Sequence, residues 1–410
     1  MTTPVLAIIE TSIGSHGREP LRIARGLGLR PILFSANPSR YPLQPIDETE
    51  LCETADERQV LAALDRIDAP LAGVYSFTDY SVPMAAAVAA QRGLPGLNPA
   101  VARLVRDKAT TQLRLQEAGV PCARHVDART LAEALEGAER IGYPVVVKPR
   151  AEAGSIGVVL CDDETTLRRA ADLELSRTRD YRGQPITASC LVEEFLVGRE
   201  CSVEMIALNG RYLLVGVSDK FLGPMPHFIE IGHVFPSPMD HADRAAAIDA
   251  ALAALSVLGY DFGAAHLEIK LTAQGARIVE VNPRIAGTPI PSLVTAATDR
   301  DYLRTVISLH AGLLNPAELQ KWPLAERWAA SHDLISPTGG TLIGIQGLTQ
   351  AAQIPGVFNI TVHAEPGELR PAVDNTDWLA TAMSTAPSPY LAWRNAEVAA
   401  ALLRPDWACE

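Results

Sequence analysis

The sequence predicts an α/β protein in which a doubly wound parallel sheet comes first and antiparallel, β-rich structure follows. Over about the first 105 residues, short apolar runs alternate with helical stretches, and the runs are Val5–Ile9, Pro31–Phe34 and Gly73–Tyr75. This rhythm is typical of parallel strands that are covered by helices on both faces. Further along, residues 266–271 and 277–282 alternate polar and apolar side chains around a glycine-containing turn. Such alternation indicates a β-hairpin.

Composition limits the classes of protein that are possible. The chain has 410 residues, 48% of them apolar, which is ample for several buried sheets in two or three domains. Its formal net charge of −12 argues against nucleic acid or an anionic membrane surface as the main partner. No secretory signal or membrane-spanning run is recognisable, and the six cysteines form no C-x-x-C pair. We therefore expect a cytoplasmic protein that acts on small molecules.

The helices expected to cover the first sheet are Arg18–Leu27, Glu57–Arg66 and Val82–Arg92. The turn before the first of these helices, Gly14–Gly17, follows the carboxyl end of the first strand. In open α/β sheets, ligands gather at that edge. The turn lacks a full dinucleotide fingerprint, so a contribution to substrate binding remains one reading beside an ordinary turn.

A buried strand and a flexible loop follow. Tyr143–Pro149 is rich in valine and contains Lys148, and the next loop carries Gly154, Ser155 and Gly157. Glycines allow backbone N–H groups to approach a polyphosphate closely, and Lys148 would add a fixed positive charge. A simple turn is the alternative.

Leu191–Glu204 is expected to be an extended segment that is interrupted at Gly198. An extended backbone offers alternating N–H and C=O groups that can read an adenine ring, and Phe195 and Leu196 are suited to sandwich the ring. A solvated strand end is the alternative for the glutamates of this segment.

Ser218–Lys220 and the later run Phe228–Ser237 form another polar segment. A zinc site built from its histidines and Glu230 is disfavoured, because the spacing matches no usual zinc pattern and nearby prolines disrupt a helix.

The hairpin is the most informative stretch. One face of it carries the polar side chains, namely His266, Glu268, Lys270, Glu280 and Asn282. Val279 and Val281 are expected on the reverse face. Oxygen ligands held on rigid strands are what Mg²⁺ needs when it bridges ATP phosphates. An ordinary solvated hairpin face is the alternative.

The run E-x-N-P-R-x-A-G at residues 280–287, preceded twelve residues earlier by Glu268, resembles the metal-binding end of the ATP-grasp superfamily. The resemblance is to its carboxylate–amine ligases, which include L-amino acid (dipeptide) ligases. Asp107–Lys108 followed by Gly119–Pro121 resembles the entry to the same domain. The other pieces follow in the matching order along the chain.

The resemblance implies an ATP-grasp fold with three parts. Residues 1–105 would form the N-terminal doubly wound parallel-sheet domain. Residues 106–312 would form the ATP-grasp region, with a small α+β lid at about 115–190. Residues 313–410 would complete a C-terminal α+β domain with an antiparallel sheet.

The same resemblance implies the cofactors and their ligands. The implied ATP contacts are Lys108, Lys148, Ser155, Glu193, Glu194, Phe195, Leu196, Glu200 and Lys220. Glu193 would accept a hydrogen bond from the adenine amino group, Glu194 and Leu196 would present backbone groups, and Glu200 would bind ribose hydroxyls. Mg²⁺, for which Mn²⁺ can substitute, would be held by Glu268, Glu280 and Asn282.

Catalysis is expected to rest on Arg284 and Lys220, with Arg284 donating to the transferring phosphate and then to the oxyanion. A structural salt bridge is the alternative for Arg284. The implied substrate contacts are Glu230, His233, Gly287 and Thr288. Related ligases often have a second glycine where this chain has Thr288 followed by Pro289, so we expect an altered substrate pocket.

The implied reaction is formation of an amide from an amino acid or small carboxylate and an amine, through an acyl phosphate, with release of ADP and phosphate. One alternative within this fold is activation of bicarbonate or formate. Another is a nucleotide-binding module without turnover. A homodimer is expected by analogy with the family.

Overall fold

The first part of the chain folds around a parallel sheet. The structure is a computed structural model, which describes residues 2–12, 15–41, 48–223, 225–287, 289–335, 339–370 and 378–408. The first four strands are β1 (Val5–Ile9), β2 (Arg30–Ser35), β3 (Thr49–Leu51) and β4 (Leu71–Tyr75), and they pair in parallel in the order β3-β2-β1-β4. The helices of this part are α1 (Glu19–Gly26), α2 (Glu57–Asp65) and α3 (Val82–Gln91), with short 3₁₀ helices at Ser15–Arg18 and Pro38–Arg40. The predicted parallel α/β region is confirmed.

Two helices lead out of this region. They are α4 (Pro99–Arg106) and α5 (Lys108–Glu117). Asp107 lies between them and accepts a hydrogen bond from the Thr110 amide as the N-cap of α5. Such capping satisfies a backbone donor that has no partner within the helix. Lys108 thereby begins α5 at a fixed position.

A smaller antiparallel sheet follows, in the order β5-β8-β6-β7. Its elements are β5 (His125–Ala128), α6 (Leu131–Ile141), β6 (Val145–Pro149), β7 (Val159–Cys161), α7 (Glu164–Leu175) and β8 (Cys190–Glu194). All five residues of β6 are buried, as its run of valines predicts. Thr130 and Glu133 form a capping box at the start of α6. We refer to this sheet and its helices as the lid.

A large antiparallel sheet of eight strands forms the body of the protein, in the order β13-β12-β9-β10-β11-β14-β18-β16. Its first half comprises β9 (Gly198–Leu208), β10 (Arg211–Leu222), β11 (Glu230–Phe235), α8 (His241–Leu258), β12 (Phe262–Thr272), β13 (Gly275–Asn282), α9 (Ile290–Thr298) and α10 (Tyr302–His310). The second half comprises a 3₁₀ helix (Pro316–Leu319), β14 (Trp328–Ile335), β15 (Gly340–Gln346), α11 (Leu348–Ala352), β16 (Val357–Val362), β17 (Leu369–Arg370), β18 (Trp378–Ala386), α12 (Pro389–Leu402) and β19 (Arg404–Trp407). β15, β17 and β19 form a separate three-stranded sheet.

The hairpin β12–β13 has the predicted turn and pairing. Leu267 and Ile269 pack with Val281 and helix α8 in one apolar cluster. Val279 is the exception, because the register shifts between Glu268 and Ile269 and a bulge leaves Val279 without a directly opposed partner. Val279 borders both the main cavity and the apolar space beside Ile278 and Val281, so its place on the reverse face stays a prediction.

Within the described ranges, no helix is long and apolar enough to cross a membrane.

Candidate active site

A cavity of about 780 Å³ opens between the lid and the large sheet. All nine residues predicted to contact ATP line it, namely Lys108, Lys148, Ser155, Glu193, Glu194, Phe195, Leu196, Glu200 and Lys220. Glu268 and Glu280 of the hairpin also line it. We call this space the main cavity. Segments that are far apart in the sequence therefore meet in one place, as the order of the motifs predicted.

One end of the main cavity is apolar. The rings of Phe195 and Phe228 lie 6.2 Å apart, edge to face, and Leu196 is buried beside them. Lys270 places its ammonium 5.5 Å from the Phe195 ring. Flat aromatic faces with an adjacent extended strand are suited to a purine ring.

The main cavity also gathers most of the chain's lysines. The chain has five lysines among its 36 basic residues, and four of them, Lys108, Lys148, Lys220 and Lys270, line the main cavity. Lysine carries a compact charge on a flexible stem, which suits contact with phosphate oxygens. Lys148 pairs with Glu193 at 2.7 Å and Lys108 with Glu280 at 3.0 Å, so each ammonium is held by a carboxylate.

Lys220 lies at the centre of a buried charge cluster. Its ammonium is 3.1 Å from Glu200, 2.8 Å from Glu230 and 3.0 Å from Glu268. Burial alone disfavours the charged amine, but these carboxylates outweigh burial and raise the pKa of Lys220 well above its usual value. Lys220 is therefore a permanent cation between strands β9, β10, β11 and β12.

The predicted substrate pair Glu230 and His233 extends this cluster without lining the main cavity. Burial lowers the pKa of His233 to about 4, although Glu230 lies 3.6 Å from its ring. The ring is thus neutral at pH 7, and among the described residues its Nδ1 has no hydrogen-bond partner. Burial would raise the pKa of Glu230, but the ammonium of Lys220 shifts that pKa downward overall. Glu230 is therefore an anion at neutral pH.

The pKa of His266 is shifted in the opposite direction from that of His233. It contacts Glu204 at 2.7 Å and Glu268 at 3.4 Å. Burial opposes protonation, but these two carboxylates raise the pKa of His266 to about 10. His266 is thus a buried imidazolium that supports the Glu268 carboxylate from behind.

The raised pKa of His266 makes stability depend on pH. Because the folded pKa of about 10 exceeds the ordinary value of 6.5, this contribution is complete below pH 6.5 and is lost as the pH rises toward 10. Over that interval the wild type should lose free energy of unfolding on the order of a few kcal/mol. We expect His266→Gln to abolish this loss. Urea unfolding at pH 6, 8 and 10 measures it. His241→Gln, at an exposed position, is the matched control, and an unchanged pH slope in His266→Gln would contradict the prediction.

The three predicted metal ligands of the hairpin differ in how far they are exposed. Glu268 and Glu280 are directly opposed in the ladder, and their side chains are 16% and 21% exposed toward the main cavity. Asn282 is buried opposite His266, two pairs further along. Within the described ranges, no cluster of three or more His, Cys, Asp and Glu could hold a metal ion. Two adjacent carboxylates and an amide oxygen still fit Mg²⁺, which keeps several positions for water and phosphate.

Arg284, predicted to be catalytic, does not line the main cavity. Its Nε donates to Asp79 at 2.6 Å, and its Nη1 donates to the Ile285 carbonyl. It borders a second, mostly apolar cavity of about 420 Å³. A Cβ added at Gly287 would meet open space, whereas Thr288 falls outside the described residues.

The glycine loop of the lid has the backbone its sequence predicts. Gly154, Ser155 and Gly157 all have positive φ, at 68°, 57° and 75°. A Cβ at Gly157 would lie 2.5 Å from a carboxylate oxygen of Glu174, whereas a Cβ at Gly154 would meet open space.

These two glycines form a matched pair for a test. We expect Gly154→Ala to cost about 1 kcal/mol of stability through its backbone conformation alone. Gly157→Ala should cost more and should also raise the Michaelis constant for ATP, since Glu174 and the loop must shift. Thermal unfolding and ATP titration of both variants measure this. Equal effects in the two variants would show that the space at Gly157 is not limiting.

Some residues of the main cavity carry little signal in the sequence. Glu152 lines the main cavity, is buried, and accepts a hydrogen bond from Tyr80. Phe228 and Lys270 were noted in the sequence but were not assigned to the nucleotide. The scarcity of lysine in this chain was the available signal for Lys270, whereas Glu152 carried none.

Comparisons with known proteins agree with this geometry. A model of the ATP-grasp domain matches residues 141–292, and a model of the L-amino acid ligase C-terminal domain 2 matches residues 333–408. The first range contains the glycine loop, β8, β9 and the hairpin. The second begins within β14 and contains β15 to β19, where no site residue was predicted.

Individual relatives point the same way. An uncharacterized protein of Sinorhizobium fredii, y4rH, is 31% identical over 91% of this chain and 76% of its own length. Alanine–anticapsin ligase of Bacillus amyloliquefaciens is 31% identical over 51% of this chain. The chain spans less than half the length of that ligase, at 47%, and of several other curated relatives.

Among solved structures, the L-amino acid ligase from Bacillus licheniformis superimposes with a TM-score of 0.85 over 100% of both chains. Its sequence identity is 22%, so this likeness speaks for the fold.

Proposed function

Since this chain belongs to the ATP-grasp superfamily and carries an L-amino acid ligase C-terminal domain, we propose that it is an ATP-dependent ligase of small molecules. It would join an amino acid or small carboxylate to an amine and release ADP and phosphate. The observation that carries the proposal is the main cavity, which combines an apolar slot, a glycine loop, four lysines and two opposed carboxylates. A relative named alanine–anticapsin ligase supports amino-acid substrates.

The nucleotide would lie with its base against Phe195 and Leu196, beside Phe228. Among the described residues, Oε1 of Glu193 is buried and has no hydrogen-bond partner, while its other oxygen binds Lys148. A buried acceptor without a donor is costly, so Glu193 is suited to accept from the adenine amino group. Lys148 and the glycine loop with Ser155 would then face the phosphates.

Glu268, Glu280 and Asn282 would hold Mg²⁺, or Mn²⁺ in its place. When bound, the ion would neutralise charge on the phosphate oxygens. Lys108 and Lys220, which now pair with the two carboxylates, would supply further positive charge at the same place.

The chemistry follows from the poor reactivity of a carboxylate. Its oxygen would attack the γ-phosphorus, the bond to the β-phosphate oxygen would break, and ADP would leave. The amine would then attack the acyl carbon, lose a proton and expel phosphate. Glu230, an anion beside Lys220, is suited to hold a substrate ammonium, and the neutral His233 would position it. Arg284 would act on the phosphate only by exchanging its contact with Asp79.

A two-dimensional screen of amino acids tests the proposal. Phosphate release should require two substrates together, and mass spectrometry should show the condensed product. Hydroxylamine should divert the acyl phosphate to a hydroxamate. Phosphate release with bicarbonate or formate alone would favour the second reaction class, and nucleotide binding without release under any condition would favour a binding module.

The proposal extends to the cell compartment, the oligomeric state and the partners of the protein. We expect a cytoplasmic homodimer whose partners are its small-molecule substrates, and neither nucleic acid nor membrane. Sedimentation of the purified protein measures the oligomeric state.

A further inference from the structure

A third cavity lies at the carboxyl end of the parallel sheet, where the sequence analysis expected ligands to gather. Its volume is about 1080 Å³. Glu10, Thr54 and Thr78, which follow strands of this sheet, form one wall, and residues 179 and 182–185 of the lid form the other. We call it the sheet-edge cavity. No residue that lines it was assigned to a site above except Tyr80, which contacts Glu152.

Three arginines line the sheet-edge cavity, and their hydrogen-bond partners among the described residues are neutral. Arg40 donates to the carbonyl of Arg182 at 2.8 Å, Arg179 donates to the carbonyl of Gly183 at 2.6 Å, and Arg182 donates to the carbonyl of Thr11 at 3.1 Å. In the part of the chain that the structure describes, none of these three arginines forms an ion pair with a carboxylate. Their charge is therefore available to a ligand.

The carboxylates of the same cavity are already occupied by local donors. Glu10 accepts hydrogen bonds from three hydroxyls and one backbone amide. Glu53 accepts from the amide of Ala55, and Asp56 caps helix α2. These acids stabilise the loops that follow the strands and do not neutralise the arginines directly.

The start of helix α3 indicates the charge of the ligand that the sheet-edge cavity binds. Ser81 occupies the N-cap of this ten-residue helix but accepts no capping hydrogen bond. It lines the cavity, is 1% exposed, and its hydroxyl has no partner among the described residues. A buried hydroxyl without a partner is costly, and the N-terminus of a helix favours an anion. Both features fit a bound carboxylate.

The sheet-edge cavity adjoins the main cavity. Tyr80 lines the former and donates at 2.5 Å to Glu152, which lines the latter. Asp79, the preceding residue, holds Arg284. Asp79 thus contacts Arg284 beyond the hairpin, and Tyr80 contacts the lid through Glu152. Ser81, the next residue, lines the sheet-edge cavity.

We propose that the sheet-edge cavity binds the carboxylate end of the amine-bearing substrate, with Arg182 and Ser81 as its principal donors. The inference rests on the proposed ligase function. The cavity exceeds what a carboxylate alone needs, so it also accommodates the body of that substrate. The amine would extend past Tyr80 toward the main cavity. Arg182 and Ser81 would then determine which amines are accepted.

A comparison of acids with their amides tests the assignment. L-Alanine, L-phenylalanine and glycylglycine are assayed as acceptors beside their carboxamides. We expect the wild type to favour the acids at least about tenfold in kcat/KM, since a lost charge-assisted contact has about that effect. Ser81→Asp, which keeps an N-cap residue but repels an anion, and Arg182→Gln should abolish this preference through the acceptor KM. The KM for ATP should stay within about twofold.

Arg66→Gln, an exposed arginine of the same domain, is the matched control and should keep the preference for acids. Equal rates for acids and amides in the wild type, or an unchanged preference in both Ser81→Asp and Arg182→Gln, would overturn the assignment to the acceptor. A wild type that forms no amide with any acceptor would instead refute the proposed function.

A measurement that does not depend on turnover distinguishes failure of the anion site from failure of the proposed ligase function. Crystals of the full chain with ADP are soaked in selenate, whose anomalous signal locates a bound anion. We expect a peak beside Ser81 and Arg182 in the wild type and none there in Ser81→Asp. Absence of the peak in the wild type, or its persistence in Ser81→Asp, would overturn the anion site whatever the enzyme's activity.

Discussion

Replacement of Glu268 by glutamine is expected to lower kcat by roughly 10²–10³-fold, the range seen when one preorganised electrostatic contact to a transition state is lost. Glu268 is opposed to Glu280, contacts Lys220 and is supported by His266, so it connects the proposed metal position to the lysine cluster. The amide keeps the size of the side chain but loses the charge. Release of ADP at saturating ATP and Mg²⁺ measures the effect, while ATP binding should persist through Lys148.

Glu194→Gln is the matched control for Glu268→Gln. Glu194 also lines the main cavity, but its side chain pairs with Arg124 at 3.1 Å and its proposed role is a backbone contact. We expect kcat to change by less than about threefold there. Comparable losses in both variants would mean that cavity charge in general matters, and retained turnover in Glu268→Gln would refute the metal site.

Replacement of Lys220 by methionine is expected to reduce the free energy of unfolding by roughly 3–5 kcal/mol, because removal of one partner leaves buried charges uncompensated. Three carboxylates, from Glu200, Glu230 and Glu268, lose their shared cation in this variant. Urea unfolding measures the loss. Added Mg²⁺ should restore part of the stability, since a divalent cation that binds the folded form stabilises it.

Lys321→Met removes an exposed lysine with the same substitution and should change stability by less than about 0.5 kcal/mol. Stability of Lys220→Met equal to that of Lys321→Met would contradict the buried cluster. A large loss of stability in Lys220→Met that Mg²⁺ does not restore would support the buried cluster but contradict a cation site beside Glu268.

The sequence predicted most of the fold because local patterns specify it. The alternation in β12 and β13 and the glycine-containing turn determined which residues of the hairpin share a face, and Glu268 indeed opposes Glu280. The register shift beside Val279 was not predicted, since a bulge depends on how two strands pair and leaves no mark in either strand alone.

Contacts between distant segments were beyond the sequence. Arg284 pairs with Asp79, 205 positions earlier, and no pattern in either segment indicates the other. The same holds for Tyr80 and Glu152, 72 positions apart. The resemblance supplied the order of the motifs, and this order predicted the lining of the main cavity well because each motif contributes a separate wall.

The placement of nearly all lysines around one cavity has a consequence for the enzyme's own integrity. A mixed anhydride formed there would acylate any neutral amine within reach, including those of the protein. Lys108, Lys148, Lys220 and Lys270 each face a carboxylate, and the raised pKa of Lys220 leaves it without the lone pair that such an attack requires. In the proposed reaction, the glutamates around Lys220 would therefore protect its amine from acylation by the acyl phosphate.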